Sequence, residues 1–203
     1  ALRRQMDIIA HNMANIGTGA FKAEKPIFIQ ILDKEGSTSF VQDFGVRRDM
    51  AEGHLQTTAN PLDLAIEGDA FIVVEVENES RYTRNGHLTL NDARELVTST
   101  GHPVLDVDDR KIEVPEQVYD ITIAEDGTVS SDLGPIGRIK MVWFENLNNL
   151  KRAADSLYTT TEDEIEPRDA SVLQGSLETS NVRPVLELTD MINVLRAYQQ
   201  NSK

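Results

Sequence analysis

The two ends of this chain carry the same apolar repeat, and that repeat constrains the fold more than any other feature. Near the carboxyl end, the residues recur in alternating steps of three and four, as in a heptad seam: Val185, Leu188, Ile192, Leu195 and the polar Gln199. Near the amino end, the matching stripe is Leu2, Met6, Ile9, Met13 and Ile16. We therefore predict an amphipathic helix at each end, with Asn181 capping the second helix and Pro184 in its first turn.

Two such stripes need partners, and the patterning leaves two interpretations open. In the first, each helix lies as a cover on the central part of its own chain. In the second, the helices associate laterally with those of other copies, which would make the chain a subunit of an assembly. Coiled-coil pairing of the two terminal helices is typical of the second case.

Charge and composition exclude several classes of protein. The 203 residues carry a formal net charge of −14, so most of the surface would repel a phosphate backbone, and no nucleic-acid partner is expected. The chain has no cysteine, which excludes disulfides, thiolate metal sites and thiol catalysis. No run of about 18 apolar residues occurs, so no membrane insertion is expected. Since the chain begins at Ala1 and both ends fall inside helical patterns, we expect it to be part of a longer chain.

The pattern of apolar and polar residues changes at Asn60. Short apolar runs follow one another at close spacing, separated by turn residues, of which Asn85-Gly86 is the strongest hairpin signal. Trp143 is expected to be a core residue of the last long strand. The predicted strands are 62–66, 71–76, 81–84, 87–90, 96–98, 104–107, 121–124, 128–130 and 139–144. This spacing is typical of an all-β module.

The predicted fold is therefore mainly β: a central all-β module of short strands flanked by amino- and carboxyl-terminal α-helices that pair in a coiled-coil manner. Residues 1–22 and 175–203 form the helical domain, with Gly17 as a left-handed cap of the first helix. Residues 23–59 are an extended linker with one or two short strands. Residues 60–174 form the β-rich domain.

No constellation of residues indicates catalysis, a metal site or a cofactor. The histidines are His11, His54, His87 and His102, and no two stand at ligand spacing. Asp106, Asp108 and Asp109 lack the glycine and distal glutamate of a calcium loop. We predict no catalytic residue, no metal, no cofactor and no enzyme activity. A β-rich ligand-binding module with helical oligomerisation tails, and a hydrolase, stay open as alternatives.

Four blocks of sequence carry a resemblance to a known family. They read ANIGTGAFK at 14–22, NPLDLAIEGDAF at 60–71, YTRNG with LVT and GHPVL at 82–105, and GSLETSNV at 175–182. Together they resemble the signatures of the bacterial flagellar rod and hook proteins. The residues that carry the match are Asn60, Leu62, Asp63, Ala65, Gly68, Phe71, Tyr82, Gly86, Gly101, Ser180 and Asn181. Ala20, Ala70 and Arg94 replace family glycines, which predicts altered turn geometry there, because these side chains resist positive φ.

The resemblance implies a structural subunit of the flagellar basal body in the periplasmic rod, without enzyme activity. Residues 40–43 and 48–49 are most similar to the proximal-rod members, with the distal rod as the alternative. In such proteins the terminal segments polymerise as an inner tube, the β module forms the outer layer, and the rod transmits motor torque as a drive shaft. The implied partners are copies of the chain, other rod proteins and the flagellar export apparatus, which exports the chain without a cleaved signal peptide. The expected assembly residues are Leu2, Met6, Ile9, Met13, Asn15, Ile16, Val185, Leu188, Ile192, Leu195 and Tyr198.

Overall fold

The computed structural model describes residues 2–32, 39–118 and 120–201. The chain divides into two compact units. The first, here called the helical unit, combines Ala1–Gly53 with Ser180–Lys203, and the second, the β unit, is His54–Thr179. The predicted composition, mainly β with an α-helix near each end, is confirmed.

The helical unit contains two helices and one hairpin. Helix α1 is Leu2–Ala14, strand β1 is Glu24–Leu32, strand β2 is Ser39–Arg48, and helix α2 is Pro184–Asn201. The two helices contact each other, and α1 also contacts β1. Pro184 stands in the first turn of α2 as predicted, where its missing N–H costs no hydrogen bond and its fixed φ suits the helix.

Two predicted helix caps are wrong. The first turn of α2 is closed by the carbonyl of Arg183, which accepts the N–H groups of Leu186 and Glu187, each at 3.1 Å, and the Asn181 side chain bonds elsewhere. Gly17 does not adopt a positive φ, whereas Ala20 does, at 52°. The chain therefore leaves α1 through a series of turns and reaches its left-handed residue only three positions after Gly17.

Strands β1 and β2 form an antiparallel ribbon, where the sequence predicted an irregular segment with one or two short strands. Glu24 pairs with Arg48 and Leu32 with Ser39, and the register shifts at Ile27 and Phe28. The bulge is the reason the pattern was not visible, because it breaks the two-residue alternation on which strand prediction depends. Residues 33–38, between the two strands, lie outside the described residues.

The β unit consists of short strands in four small sheets. Its strands are β3 (Leu55–Thr57), β4 (Asp63–Glu67), β5 (Phe71–Val76), β6 (Glu79–Thr83), β7 (Gly86–Leu90), β8 (Leu96–Thr98), β9 (Ile121–Ile123), β10 (Thr128–Ser131), β11 (Gly134–Arg138), β12 (Met141–Val142), β13 (Lys151–Arg152), β14 (Tyr158–Thr159), β15 (Ser171–Gln174) and β16 (Ser176–Glu178). The sheet orders are β12-β5-β6-β14-β13, β15-β4-β7-β8, β11-β10-β9 and β16-β3. Strand β16 thus falls within the segment 175–203 that was predicted to be helical.

Strand β5 is buried on both faces and organises the core. Ile72 and Val74 point into the main apolar cluster, while the ring of Phe71 meets the rings of Phe144 and Tyr158 at 5.9 and 5.7 Å between centroids. Such alternation follows from the two-residue period of a strand. The main cluster consists of Leu64, Ile66, Ala70, Ile72, Val74, Leu88, Leu96, Val104, Ile112, Ile123, Val129, Ile139, Leu157 and Val172.

Three details of the β unit differ from the prediction. Asn85-Gly86 is not a hairpin turn, because β6 and β7 belong to different sheets. The β5–β6 hairpin instead turns at Glu77 and Asn78, with φ of 53° and 63°. Trp143 is half-buried rather than a core residue, and its strand is reduced to β12 plus an isolated bridge to Ile165.

Candidate assembly surface

The inner face of α1 meets α2 through a small apolar contact. Ile8, Ile9 and Asn12 are buried on α1, and Val194 is buried on α2. Of the predicted amino-terminal stripe, only Ile9 is fully buried. The other members, which are half-buried, are Leu2, Met6, Met13 and Ile16.

The buried side chain of Asn12 joins both helices and β1. Its Nδ2 donates to the carbonyl of Glu24 at 2.9 Å and to Oε1 of Glu187 at 3.0 Å. Its Oδ1 accepts the N–H of Glu24 at 2.9 Å. A buried amide with these partners is satisfied only in one arrangement of the elements, so Asn12 fixes the register of α1.

Glu187 is the ionisable group in this contact. Burial raises the pKa of its carboxyl above the ordinary value, the hydrogen bond from Asn12 opposes that shift, and the nearby Asp190 carboxylate adds to it. Asp190 and Lys25 also line the groove of about 450 Å³ between the helices and β1. The groove therefore combines an apolar floor with a partly desolvated carboxylate.

A second polar centre lies around Asn181. Its Oδ1 accepts the N–H of Ala23 at 2.7 Å, and its Nδ2 donates to the carbonyls of Asp49 and Ala51, both at 2.8 Å. Lys22, 1% exposed, reaches the same carbonyl of Ala51 through its Nζ at 2.9 Å. Motif residue Asn181 thus holds together three segments that are distant in sequence.

Asn15, predicted as an assembly residue, lies in the turn that ends α1. Its Nδ2 donates to the carbonyl of His11 at 2.8 Å, and its Oδ1 accepts the hydroxyl of Thr18 at 3.2 Å. The motif residue Ser180 is buried and accepts the N–H of Val182 at 3.3 Å. The described contacts of both residues are local.

The predicted stripe of α2 faces solvent in this chain. Its four apolar members and the neighbouring assembly residue Tyr198 are each at least 46% exposed: Val185, Leu188, Ile192, Leu195 and Tyr198. The face of α2 that turns toward α1 carries other residues, Glu187, Asp190, Val194 and Ala197, which line the groove. The structure therefore separates the stripe from the face that packs within the chain.

The family-motif residues of the β unit are held by hydrogen bonds, by burial or by a turn conformation within that unit. Asp63 is buried and its Oδ1 lies 2.6 Å from Nδ1 of His87. Asn60 accepts the N–H of Leu62 in a turn, Ala65 is fully buried, and Gly101 has a φ of 91°. Glu164 accepts a hydrogen bond from Tyr82 at 3.0 Å, and burial, with the Glu164 carboxylate adding to it, raises the pKa of the Tyr82 phenol.

Two of the three residues that replace family glycines have a left-handed backbone. Ala20 and Arg94 adopt φ values of 52° and 60°, although their side chains resist positive φ. Arg94 is held by its side chain, whose Nε and Nη2 donate to the carbonyls of Val114 and Val118 at 3.0 and 2.8 Å. Those hydrogen bonds offset the cost of the left-handed backbone.

Arg84 belongs to the YTRNG motif, but no partner or burial was predicted for its side chain. Its Nε donates to Glu178 at 3.1 Å, and its two terminal nitrogens donate to the carbonyls of Gly68, Ala70 and Ile66 at 2.6, 2.9 and 2.9 Å. Its position between two apolar strands could have indicated burial. A buried guanidinium requires a carboxylate partner, so a distant acidic residue would then have been expected.

Two more of the histidines lie beside carboxylates. His11 lies 3.3 Å from Glu24, and His102 lies 3.1 Å from Asp155. Across the described ranges, no group of three or more histidine and acidic side chains is placed to hold a metal ion. In the same ranges, no helix is long and apolar enough to cross a membrane.

Comparison with known proteins places these features in one family. The model of the flagellar hook protein FlgE/F/G D1 domain matches residues 65–131, and that of the flagellar basal body rod FlgEFG protein C-terminal matches residues 173–203. The flagellar basal-body rod protein FlgF of Caulobacter vibrioides is 38% identical, over all of this chain and 86% of the relative.

Other members of the family are similar over the same length. The FlgF protein of Mesorhizobium japonicum is 33% identical, over all of this chain and 86% of the relative. The FlgG protein of Caulobacter vibrioides is 30% identical, over all of this chain and 89% of the relative. The chain therefore belongs to the family of flagellar basal-body rod proteins and is similar to its FlgF members.

Proposed function

We propose that this structural rod subunit belongs to the proximal rod and polymerises through the outward stripe of α2, so that the helices of successive copies form the inner tube of a torque-transmitting shaft. The observation that carries the proposal is the exposure of Leu188, Ile192 and Leu195, each of which keeps about half of its surface in solvent. Monomeric proteins normally leave such patches exposed only where another molecule covers them.

The exposed stripe is strong enough for assembly only when contacts are repeated. Leu188, Ile192 and Leu195 are each about half exposed, so their complete burial would add about 1 kcal/mol each, or about 3 kcal/mol per copy. A single contact of that size is weaker than the millimolar range and is further opposed by the entropy of association. Isolated copies therefore stay apart, and stable burial requires several neighbours at once, as at the tip of a growing rod.

Two further assembly residues extend this surface. Val185, at one end of the stripe, and Tyr198, beside the other end, lie toward the two ends of α2. Coiled-coil packing between copies, with Leu2, Met6, Met13 and Ile16 at its margin, is the arrangement we propose for them. Export through the flagellar export apparatus without a cleaved signal peptide, and a periplasmic location, belong to the same proposal.

The test replaces Leu195 by aspartate in cells that depend on this chain for motility. Burying an unpaired carboxylate at each contact costs more than the stripe contributes, so we expect no swimming and no rods beyond this subunit. The matched control is Thr189→Asp, which adds the same charge to an exposed position of α2 outside the stripe. Normal yields of rods from the Leu195→Asp variant, in basal bodies examined by electron microscopy, would show that the stripe is not the assembly surface.

A distal-rod position is the second candidate, since a FlgG relative matches the whole chain at 30% identity. Complementation separates the two. We expect the gene for this chain to restore motility to a strain without its FlgF protein and not to one without its FlgG protein. The reverse result would assign the chain to the distal rod.

A further inference from the structure

A second concave surface lies on the β unit. It is a cleft of about 610 Å³ formed by the turn at 68–69, the loop at 166–170 and the side chains of Trp143 and Ile165; we call it the Trp143 cleft. Trp143 and Ile165 exchange two backbone hydrogen bonds, of 2.7 and 3.2 Å between nitrogen and oxygen. These bonds fix the backbone that carries the indole.

The walls of the cleft are held by backbone contacts. Gly68 has a φ of 87°, and a Cβ at that position would stand 2.7 Å from the carbonyl oxygen of Asp169, so the turn packs directly on the loop. The carbonyl of Gly68 also accepts Nη1 of Arg84 at 2.6 Å. Because glycine is required at the contact and the buried arginine holds the turn, the cleft is formed before any ligand arrives.

The cleft brings four acidic side chains together with one basic side chain. Among the described residues, no salt bridge is formed by its four acidic side chains, Asp69, Glu145, Glu166 and Asp169. Several basic side chains of the unit pair with carboxylates outside the cleft, as Lys140 does with Asp109 at 2.5 Å. Arg168 is the single basic residue among those that line the cleft.

The charge of the whole unit reinforces this local excess. His54–Thr179 contains 25 acidic and 10 basic residues, a formal charge of −15, whereas the chain as a whole carries −14, which leaves +1 for the remainder. Such a field attracts cationic groups and repels a second copy of the same unit. The occupant that complements the cleft is therefore a cation from a different protein.

The aromatic side chain defines the kind of cation. An indole face attracts an ammonium or guanidinium group, and the aliphatic stems of lysine and arginine cover apolar surface such as Ile165, which is 39% exposed. A bare metal ion would leave most of the volume unfilled. We propose that the Trp143 cleft binds a lysine- or arginine-bearing segment of a partner protein, its basic side chain lying between the indole and the carboxylates.

Trp143 is the single tryptophan of the chain, so its fluorescence reports directly on the cleft. The full chain is titrated with an acetylated, amidated Gly-Lys-Gly-Arg-Gly peptide, and with a neutral version carrying norleucine and citrulline. We expect a saturable change in Trp143 emission with the basic peptide, which weakens as salt is added, and none with the neutral peptide.

Paired variants locate the binding. Glu166→Gln with Asp169→Asn should weaken binding of the basic peptide about fivefold, the effect of about 1 kcal/mol from two exposed charges. The control, Asp92→Asn with Asp132→Asn, removes the same charge from exposed positions outside the cleft and should leave the affinity within about twofold. Circular dichroism of each variant verifies that the fold is kept.

Three results would overturn the proposal. The first is no saturable response to the basic peptide, and the second is an equal loss of affinity in both pairs of variants, which would reduce binding to general electrostatics. The third is a saturable response to a neutral oligosaccharide such as chitotriose with none to the basic peptide, which would make the cleft a saccharide site. The Leu195→Asp variant should bind the peptide normally, so failure of the assembly proposal and of this one are separate outcomes.

Discussion

Replacing Glu178 by glutamine tests whether the buried Arg84–Glu178 pair holds the β unit together. The side chains are 3% and 1% exposed, and their Nε and Oε2 atoms lie 3.1 Å apart. Glu178 ends β16, which pairs with β3, whereas Arg84 follows β6 and reaches carbonyls of β4 and of the turn before β5. The pair therefore joins segments of the unit that are distant in sequence.

The magnitude follows from what the substitution leaves behind. Removing one partner of a buried ion pair costs about 3–5 kcal/mol, because the remaining charge stays desolvated. Three carbonyl oxygens at 2.6 to 2.9 Å still accept from Arg84, and the glutamine oxygen can occupy the position of Oε2. We therefore take the lower end of that range and expect Glu178→Gln to lower the free energy of unfolding by about 3 kcal/mol.

Urea unfolding followed by the fluorescence of Trp143 measures this loss. With a slope of about 2 kcal/mol/M, the midpoint should fall by about 1.5 M without a change of slope. The double variant Arg84→Met with Glu178→Leu should not recover the loss, since it leaves the carbonyl oxygens of Ile66, Gly68 and Ala70 without their donor. A loss below about 1 kcal/mol for Glu178→Gln, the value typical of an exposed pair, would refute the reasoning.

Two further predictions concern single residues. Burial raises the pKa of Glu187 above its ordinary value of 4.5, so the folded chain binds this proton more tightly, and stability should fall as pH rises from 4.5 through the folded pKa. Thermal unfolding of the Glu187→Gln variant across that pH range should not show this decrease in stability. A pH dependence equal to that of the unmodified chain would contradict the assignment to Glu187. Gly86→Ala places a Cβ 1.9 Å from the carbonyl oxygen of Leu64 and should cost at least about 3 kcal/mol. Gly137→Ala, whose nearest contact is 3.8 Å, should change urea stability by no more than about 0.5 kcal/mol; similar losses in both would refute the steric argument.

Local periodicity predicted the elements that depend on neighbours in sequence. Strands β5 and β8 lie where alternation and turn residues placed them, and α2 begins at the predicted proline. The segment 171–178 was not predicted as strand, because β15 pairs with β4 about a hundred residues earlier. A short polar segment of this kind forms a strand only because it pairs with a distant strand. The local sequence pattern does not indicate that pairing.

The hydrogen-bond partners of the buried polar side chains could not be predicted from the sequence, for a related reason. Asn12 occupies a buried position on a helix face whose other buried members are apolar, and Lys22 and Asn181 use backbone carbonyls as partners. Any residue type can supply a backbone carbonyl, so the sequence does not mark which segment will receive the side chain. Only the folded arrangement shows that Asn181, two residues ahead of the cap of α2, fixes a loop more than a hundred positions away.

The helix α2 shows most clearly what periodicity determines and what it leaves open. Its sequence contains two interleaved faces: Glu187, Val194 and Ala197 turn toward α1, while the more apolar stripe of Leu188, Ile192 and Leu195 turns outward. If the helix served only its own chain, burial would favour the opposite orientation, with the three large side chains inside and the carboxylate in water. The observed orientation leaves about half the surface of each large side chain in solvent and desolvates Glu187. Covering the stripe with another molecule would recover that cost, which is the physical reason that we propose the assembly contact there.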